Sequence, residues 1–458
     1  MTDEAVRGRR VVVVGGGRSG VAAAELLVAR GADVTLTDLK AHLPEDQRLR
    51  AAGVTLVLGR HPLDLILAAD LVVVSPGVPW QQPVLEAGRQ AGVKIIGEVE
   101  LAWRFVRGRV VAVTGTKGKS TTTTLVGRML AAGGVPVTAG GNLGTALSAQ
   151  VAQSTPGTVH VVEVSSFQLE AIETFRPWIA VLLNVSADHL DRHVSFDEYV
   201  AAKGRVFANQ EESDWAVVNA DDPPALELAA RTRARRRMFA MDTAISEGVT
   251  ISGGYIVDRT EAGETPLIPL GAIRLLGRHL VSDVLAAAAA ARLAGVSPEA
   301  MTAAVEGFTG LEHTLEPVAE IAGVRFVNDT KATNIEAARR SIESFEGGVV
   351  PIIGGRFKGG DFRDLRAAVA RRVTAVVAIG ESRGLVREAL GDVVPVTDAL
   401  SMADAIRAAF AAAAPGGTVV LAPACSSFDM FTDYAERGRV FKEEVARLAA
   451  ERRAGREP

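Results

Sequence analysis

A chain of 458 residues, 48% hydrophobic and 23% charged, exceeds the size at which one hydrophobic core keeps growing, so roughly two to four domains are expected, with three the working number. The formal charge of −4, from 50 Lys and Arg against 54 Asp and Glu, gives no electrostatic drive toward nucleic acid or an anionic membrane. The single cysteine, Cys425, excludes an internal disulfide framework and a four-cysteine zinc site, and it fits a reducing compartment.

In chain order, "MTDEAVRGRR" runs into a strand without the apolar stretch of a signal peptide. The segment "RRVVVVGGGRSGVAAAELLVARGADVTLTD" reads as strand, glycine turn, helix and strand, because Val11–Val14 form an unbroken apolar run and "VAAAELLVA" has helical composition. Gly15, Gly17 and Gly20 make a G-x-G-x-x-G loop, and Asp38 follows the next strand where a ribose hydroxyl would be met. This spacing suits NAD. It equally suits the diphosphate of a nucleotide-linked substrate, or glycines that serve only close packing of strand on helix. The runs "LVVVS" and "VKIIG" continue the alternation, with "PGVP" marking a turn, and a boundary falls near "FVRGR" at 105–109.

The second block opens with "VVAVTGTKGKSTTTTLVGRML". Gly115, Thr116, Lys117, Gly118, Lys119 and Ser120 lie between a strand and a helix-like run from about Thr121 to Leu130. Small residues there let backbone N–H groups face phosphate oxygens, while a lysine and a hydroxyl serve the phosphates and Mg²⁺. Val113 stands where the full phosphate-loop pattern has glycine, so the loop is a shortened variant. A nucleotide triphosphate, ATP or GTP, is the expected ligand, and its presence weakens the NAD reading of the first loop. "TVHVVEVS", "IAVLLN" and "DWAVVN" read as further strands. The first places Glu163 in an apolar run, where a cation, a lysine or a backbone cap would offset its burial. "LLNVSADHLDRH" gathers Asn184, Asp188, His189, Asp191, Arg192 and His193; His189 suits a metal or phosphate contact, whereas His193 reads as a surface or helix-cap residue as readily as a chemical one. On composition alone Lys203 is an exposed helical residue. An Ala-rich buried helix runs from about Ser282 to Ala294, its "LAAAAAARLAG" too short to span a bilayer. Cytoplasmic location without stable membrane insertion is the expectation.

The third block alternates the strands "VRFVN", "VVPIIGG", "AVVAIG" and "TVVLAP" with helical segments and ends in the charged amphipathic stretch "YAERGRVFKEEVARLAAERR". "IIGGRFKGGDF" reads as a strand followed by a glycine loop that carries Lys358, suited to capturing a carboxylate, or else as a plain solvent loop.

Taken together, "GGGRSG", "SPGVP", "GTKGKSTT", "GGNLG", "EVSSFQLE", "NVSADHLDRH", "NDTKATN" and "PACSSFDMFTDYAERG", in this order, resemble the Mur ligase family over essentially the whole chain. The resemblance implies an α/β fold of three domains: a Rossmann-like domain over 1–106 that binds the uridine diphosphate substrate, a central P-loop ATPase-like domain over 107–309, and a Rossmann-like amino-acid domain over 310–458. It implies a cytoplasmic ligase of peptidoglycan synthesis, expected to be a monomer. The enzyme would use ATP and Mg²⁺, two ions being expected, to join D-glutamate to UDP-N-acetylmuramoyl-L-alanine through an acyl phosphate.

Residue by residue, the resemblance implies that Gly115 to Ser120 and Thr121 bind ATP, with Asp283, Asp329 and Lys331. Lys119, Asn142, His189 and Lys203 are implied as catalytic, with Lys203 carbamylated. Ser120, Glu163, His189 and Lys203 are implied as metal ligands. The uridine diphosphate substrate falls to Gly17, Arg18, Ser19, Asp38, Leu39, Lys40, Ser75 and Gly77, with Asn142 and His189, and D-glutamate to Thr333, Lys358, Ser427, Phe428 and Tyr434. The sequence departs from the family at Asp283 and Leu280, where asparagines are common, and at Thr314, where an arginine follows the histidine in "GLEHT". A related amide ligase of another amino acid, an NAD-dependent dehydrogenase and a non-enzymatic nucleotide-driven assembly module are the competing readings.

Overall fold

The computed structural model describes residues 6–186, 188, 192–275 and 277–454. They form three sheets. The first comprises β1 (Arg10–Val14), β2 (Asp33–Asp38), β3 (Thr55–Leu58), β4 (Leu71–Val74) and β5 (Ile95–Gly97), in the order β3-β2-β1-β4-β5. All its pairings are parallel. The apolar runs explain this: β1 and β4 are buried along nearly their whole length, as strands covered on both faces must be. Strand order reverses between β1 and β4, which makes their C-terminal ends the switch point where sheets of this kind bind ligands.

The second sheet contains β6 (Arg109–Thr114), β7 (Val137–Gly141), β8 (Val159–Glu163), β9 (Ile179–Leu182), β10 (Trp215–Asn219), β11 (Arg235–Phe239), β12 (Gly248–Ser252), β13 (Tyr255–Thr260) and β14 (Gly263–Pro269). Its order is β14-β13-β12-β11-β10-β9-β6-β8-β7. Here β6 is central, flanked by parallel β8 and β9. The antiparallel strands β12 to β14 are absent from the sequence reading. Their signal was available in Gly253 and Gly254, whose φ of 54° and 83° make the two-residue hairpin turn that glycine pairs favour.

The third sheet contains β15 (Glu316–Ile321), β16 (Val324–Asn328), β17 (Val349–Gly354), β18 (Val376–Ile379), β19 (Val396–Ala399) and β20 (Thr418–Leu421), in the order β15-β16-β20-β17-β18-β19. Only the β15–β16 pairing is antiparallel.

Two compact units result: Met1–Ile273 with Ser282–Gly307, and Arg274–Val281 with Phe308–Pro458. One buried cluster in the first unit runs from Val11 and Leu36 of the first sheet to Val162 and Leu182 of the second. Buried carboxylates add polar ties between these sheets. Glu98 Oε1 accepts from Ser148 N at 2.8 Å, and Glu100 Oε2 accepts from the backbone N–H groups of Glu173, Thr174 and Phe175, each at 2.9 Å. Burial opposes ionisation of Glu100, yet these donors, with Thr174 Oγ1 and Arg104, hold its pKa below the usual value. The Ala-rich helix spans Arg278–Leu293, starting four residues before the sequence reading placed it. The C-terminal helix spans Tyr434–Ala454.

Candidate active site

The second glycine loop follows β6 at the point where the sheet order changes direction, between β8 and β9. Gly118 ends it at φ 85°, a left-handed conformation that glycine adopts without strain. Any side chain at this position would also strike the Asp283 carboxylate. The helix Lys119–Ala132 then starts two residues earlier than its apolar pattern suggests, because the threonines after Ser120 are helical and Thr121 to Thr123 are buried. Its N-terminus presents N–H groups and a partial positive charge, which favour an anion.

Much of the loop's shape is imposed from β9. Asn184 Oδ1 accepts from the N–H groups of Thr116 at 3.1 Å and Lys117 at 2.9 Å, while its Nδ2 donates to Lys117 O at 3.1 Å. Thr116 Oγ1 accepts from Ser186 N at 3.0 Å and lies 3.0 Å from the Tyr199 hydroxyl. Lys119 Nζ turns back onto Gly115 O and Thr116 O, both at 2.9 Å. Lys117 pairs with Asp188 at 2.9 Å.

Glu163 ends β8 and is 2% exposed. Its Oε2 accepts from Ser120 Oγ at 2.7 Å and its Oε1 from Asn142 Nδ2 at 2.8 Å. Three residues singled out from separate motifs thus meet, and side-chain donors occupy the carboxylate in place of the lysine or backbone cap considered from sequence. Lys203 corrects the composition-based reading. It is 2% exposed, its Nζ donates to Gly115 O at 2.8 Å, and it lies over the Tyr199 ring at 4.6 Å. Burial, then the neighbouring Lys119 ammonium, holds its pKa well below the ordinary lysine value. His189, with Asp191, lies outside the described residues.

The first glycine loop occupies the switch point of the first sheet. Asp38 Oδ2 accepts from Gly16 N at 2.6 Å and Oδ1 from Lys40 N at 2.8 Å, so this carboxylate also shapes the loop it was expected to serve. Gly17 and Arg18 are exposed and Ser19 is half-buried at the start of the helix Arg18–Ala29. Arg18 donates to Gly144 O at 3.0 Å, beside Asn142. Leu39, Lys40 and Gly77 are exposed, whereas Ser75 is buried just beyond β4.

In the second unit, the remaining candidates cluster at the C-terminal ends of β16, β17 and β20. Asp329 accepts from Leu315 N at 3.1 Å, and burial pushes its carboxyl up to about 6 despite that bond and Lys331. Thr333 N donates to Lys331 O at 2.8 Å. Lys358 is exposed between β17 and Gly359 and Gly360, both at positive φ. Ser427 is buried, while Phe428 and Tyr434 are exposed. His313, followed by the unusual Thr314, is buried with Nδ1 3.0 Å from Asn328 Nδ2.

Sequence reasoning assigned no role to Tyr199, although it stands one helical turn before Lys203, nor to Arg437. Arg437 is 1% exposed. It donates to Thr330 O at 3.0 Å and Cys425 O at 3.2 Å, tying the segment after β16 to that after β20. Only the fold reveals it, since Thr330 is 107 residues away. His193 proves buried, its Nδ1 3.1 Å from Glu170 Oε1 and its Nε2 3.0 Å from Ser166 Oγ. Burial, then Glu198, pushes Glu170 up to about 7.

Known proteins match this chain along most of its length. The Mur ligase MurD-like N-terminal domain matches residues 9–97, the Mur ligase middle domain residues 113–291, and the Mur ligase glutamate ligase domain residues 315–425. The UDP-N-acetylmuramoylalanine--D-glutamate ligase of Acidobacterium capsulatum is 48% identical over 445 residues, 96% of each chain. That of Solibacter usitatus is 44% identical over 444 residues, covering 96% of this chain and 98% of the relative. Among solved structures, UDP-N-acetylmuramate-alanine ligase from Thermotoga maritima superposes with a TM-score of 0.61 at 18% identity, covering 96% of this chain and 100% of that one. The MurF ligase of the same organism, in complex with ADP, gives 0.60 at 18% identity, covering 98% and 97%. These two share the fold. With three consecutive domain matches and near-full-length identity to curated relatives, the chain belongs to the Mur ligase family.

Proposed function

We propose that this chain is the ATP-dependent ligase that joins D-glutamate to UDP-N-acetylmuramoyl-L-alanine in peptidoglycan precursor synthesis. The observation that carries the reading is 48% identity, across 96% of both chains, to a relative named for that reaction. The loop geometry supports it. Transfer of the γ-phosphoryl group of ATP to the alanyl carboxylate turns a poor leaving group into an acyl phosphate; attack by the amine of D-glutamate then forms the amide, expels phosphate and releases a proton from the former ammonium.

Lys119 is held beside the loop by two carbonyls, bonds that a triphosphate oxygen competes for, and its charge offsets the charge that accumulates during transfer. Asn184 and Tyr199 keep the loop open in advance, so little reorganisation accompanies nucleotide binding. The residues fit Mg²⁺. Glu163 is a buried carboxylate that accepts hydrogen bonds from a hydroxyl and an amide, both neutral, and a carboxylate with a hydroxyl is the hard oxygen set that Mg²⁺ takes. Ser120 and Glu163 would hold one ion, and His189 with a carbamylated Lys203 a second. Bound there, Mg²⁺ supplies charge neutralisation to the phosphates.

Carbamylation of Lys203 has chemical support. A lysine whose pKa is depressed by burial and by Lys119 offers a neutral amine. Its lone pair forms the N–C bond to CO₂, one proton leaves to solvent, and the resulting anion retains an N–H for Gly115 O. Residues 310–458 are proposed to handle D-glutamate through Thr333, Lys358, Ser427, Phe428 and Tyr434, with Asp329 and Lys331 serving the nucleotide. Asp283 is proposed on the adenine side of the loop, next to Gly118.

The test is formation of amide and ADP while ATP, UDP-N-acetylmuramoyl-L-alanine and D-glutamate are varied one at a time. Amide formation with D-glutamate, dependent on all three, is expected. Efficient use of a different amino acid, equal use of L-glutamate, or NAD reduction in place of ligation would refute the reading.

A further inference from the structure

The net charge of −4 conceals an uneven distribution. In the second sheet β6, β9, β10 and β11 are parallel neighbours, so their N-terminal ends form one end of the sheet, opposite the end that carries the phosphate loop. The segments that enter these strands, 105–109, 173–178, 208–214 and 230–236, hold seven arginines and four carboxylates. Three of the carboxylates are taken up in ion pairs: Glu173 with Lys94 at 3.3 Å and Arg104 at 2.6 Å, and Glu211 and Asp214 with Arg176, both at 2.7 Å. What remains is Arg107, Arg109, Arg231, Arg233, Arg235 and Arg236 against Glu212. All of these are exposed, and among the described residues none of the six arginines forms an ion pair. Like charges gathered in this way repel one another, and nothing within these segments offsets them.

Two of the six lie over tryptophans. Arg109 stands 4.5 Å from the ring centroid of Trp178 and Arg235 4.1 Å from that of Trp215, and the two tryptophans are adjacent, since Trp215 N donates to Trp178 O at 2.9 Å. Both are half-buried. A half-buried ring with a guanidinium over its face is a poor platform for stacking a nucleic-acid base. Arg235 and Arg236, as successive strand residues, point to opposite faces of the sheet, so the positive charge surrounds the sheet end and does not line a single groove.

We propose that this end of the second sheet docks on an anionic phospholipid bilayer, its arginines on lipid phosphates and Trp178 and Trp215 at the level of the headgroups. A plane of phosphates meets the charge on both faces of the sheet end at once, guanidinium groups bind phosphate oxygens in bidentate fashion, and tryptophan is enriched where protein meets the membrane–water interface. The contact is peripheral, since no described helix is long and apolar enough to cross a membrane. It leaves the phosphate loop clear: β6 has six residues, which sets the loop roughly 20 Å from Arg109. The proposal does not depend on which amino acid the chain ligates.

The experiment measures co-sedimentation of the full chain with phosphatidylcholine vesicles, with and without phosphatidylglycerol, and binding to a single-stranded RNA homopolymer. Wild type should bind only the vesicles that contain phosphatidylglycerol, and about 0.5 M salt should release it. Combining Arg231→Gln, Arg233→Gln and Arg236→Gln should weaken vesicle binding by about 100-fold, roughly fivefold for each charge, with Tm and ADP release unchanged. Combining Arg231→Lys, Arg233→Lys and Arg236→Lys keeps the charge and should bind within severalfold of wild type. No binding to phosphatidylglycerol vesicles at low salt, equal binding to neutral ones, or binding unaffected by the glutamine substitutions would overturn the proposal. So would loss of binding in the lysine variant, or tighter binding to the RNA than to the vesicles.

Discussion

Replacing Lys119 with alanine separates the charge of the phosphate loop from its architecture. In the resting loop the ammonium bonds Gly115 O and Thr116 O. After the substitution Gly115 O keeps its bond from Lys203 Nζ, the Asn184 clamp on Thr116 and Lys117 is untouched, and Thr116 O turns to water. The structural loss thus includes two charge-assisted hydrogen bonds at a half-buried site, one of whose acceptors keeps another donor, on the order of 1–3 kcal/mol after allowance for solvent, or several degrees in Tm. The loss in the transition state is larger, because charge migrates toward the ammonium only as the phosphoryl group moves; about 2.7 kcal/mol or more corresponds to a fall in kcat of at least 100-fold. Steady-state ADP release at saturating ATP, Mg²⁺ and both other substrates, with a thermal melt on the same sample, measures both effects. A folded variant with kcat within tenfold of wild type would refute the assigned role.

Lys203→Ala should lower turnover by roughly 100-fold or more, and a short carboxylic acid in solution should restore part of it. CO₂ depletion should slow the wild type and leave the variant unaffected. Crystals at native CO₂ showing a free ammonium in a fully active enzyme would rule out the carbamate. Gly17→Val should fold normally, because Gly17 has φ −72° and a Cβ there meets only Ser75 Oγ, at 3.8 Å. It should raise KM for the uridine diphosphate substrate roughly tenfold or more, with kcat nearly unchanged; a normal KM would place the diphosphate elsewhere. Asp329 titrates near 6 in the fold against 3.8 unperturbed, so the folded state binds the proton more tightly. The contribution of Asp329 to stability therefore declines as pH rises from about 4 to about 6 and then levels off. Asp329→Asn should remove that dependence and be the more stable protein at pH 8. If the ionised carboxylate serves the nucleotide, the acid limb of the wild-type kcat profile should fall near pH 6 and the variant should be slow throughout. A stability curve unchanged by the substitution would contradict the burial argument.

Some features were legible because they depend on neighbours in the chain. The strand β1 with its glycine turn, and the phosphate loop between a strand and a helix, are local patterns that impose their own conformation, and the ordered motifs identified the family before any contact was known. Glu163 could be recognised as out of place in an apolar strand. Its partners could not, since Ser120 and Asn142 stand 43 and 21 residues away and several partner types would satisfy one carboxylate equally well.

Lys203 shows the division most clearly. Helical periodicity assigns a residue to a face of its helix, but whether that face meets water or the back of a phosphate loop depends on how β6, β9 and the helix Phe196–Gly204 are packed. Composition therefore made it an exposed lysine, and tertiary structure made it a buried amine bonded to Gly115 O. The same holds for Asn184 as the mould of the loop and Arg437 as the tie between two segments. Backbone conformation and apolar patterning are properties of short stretches, so the sequence by itself determined the parallel α/β framework, the two glycine loops and the family. Burial and hydrogen-bond partnership are properties of residues that folding alone brings together, and the tertiary structure decided which polar groups were satisfied and which were set against a charged neighbour.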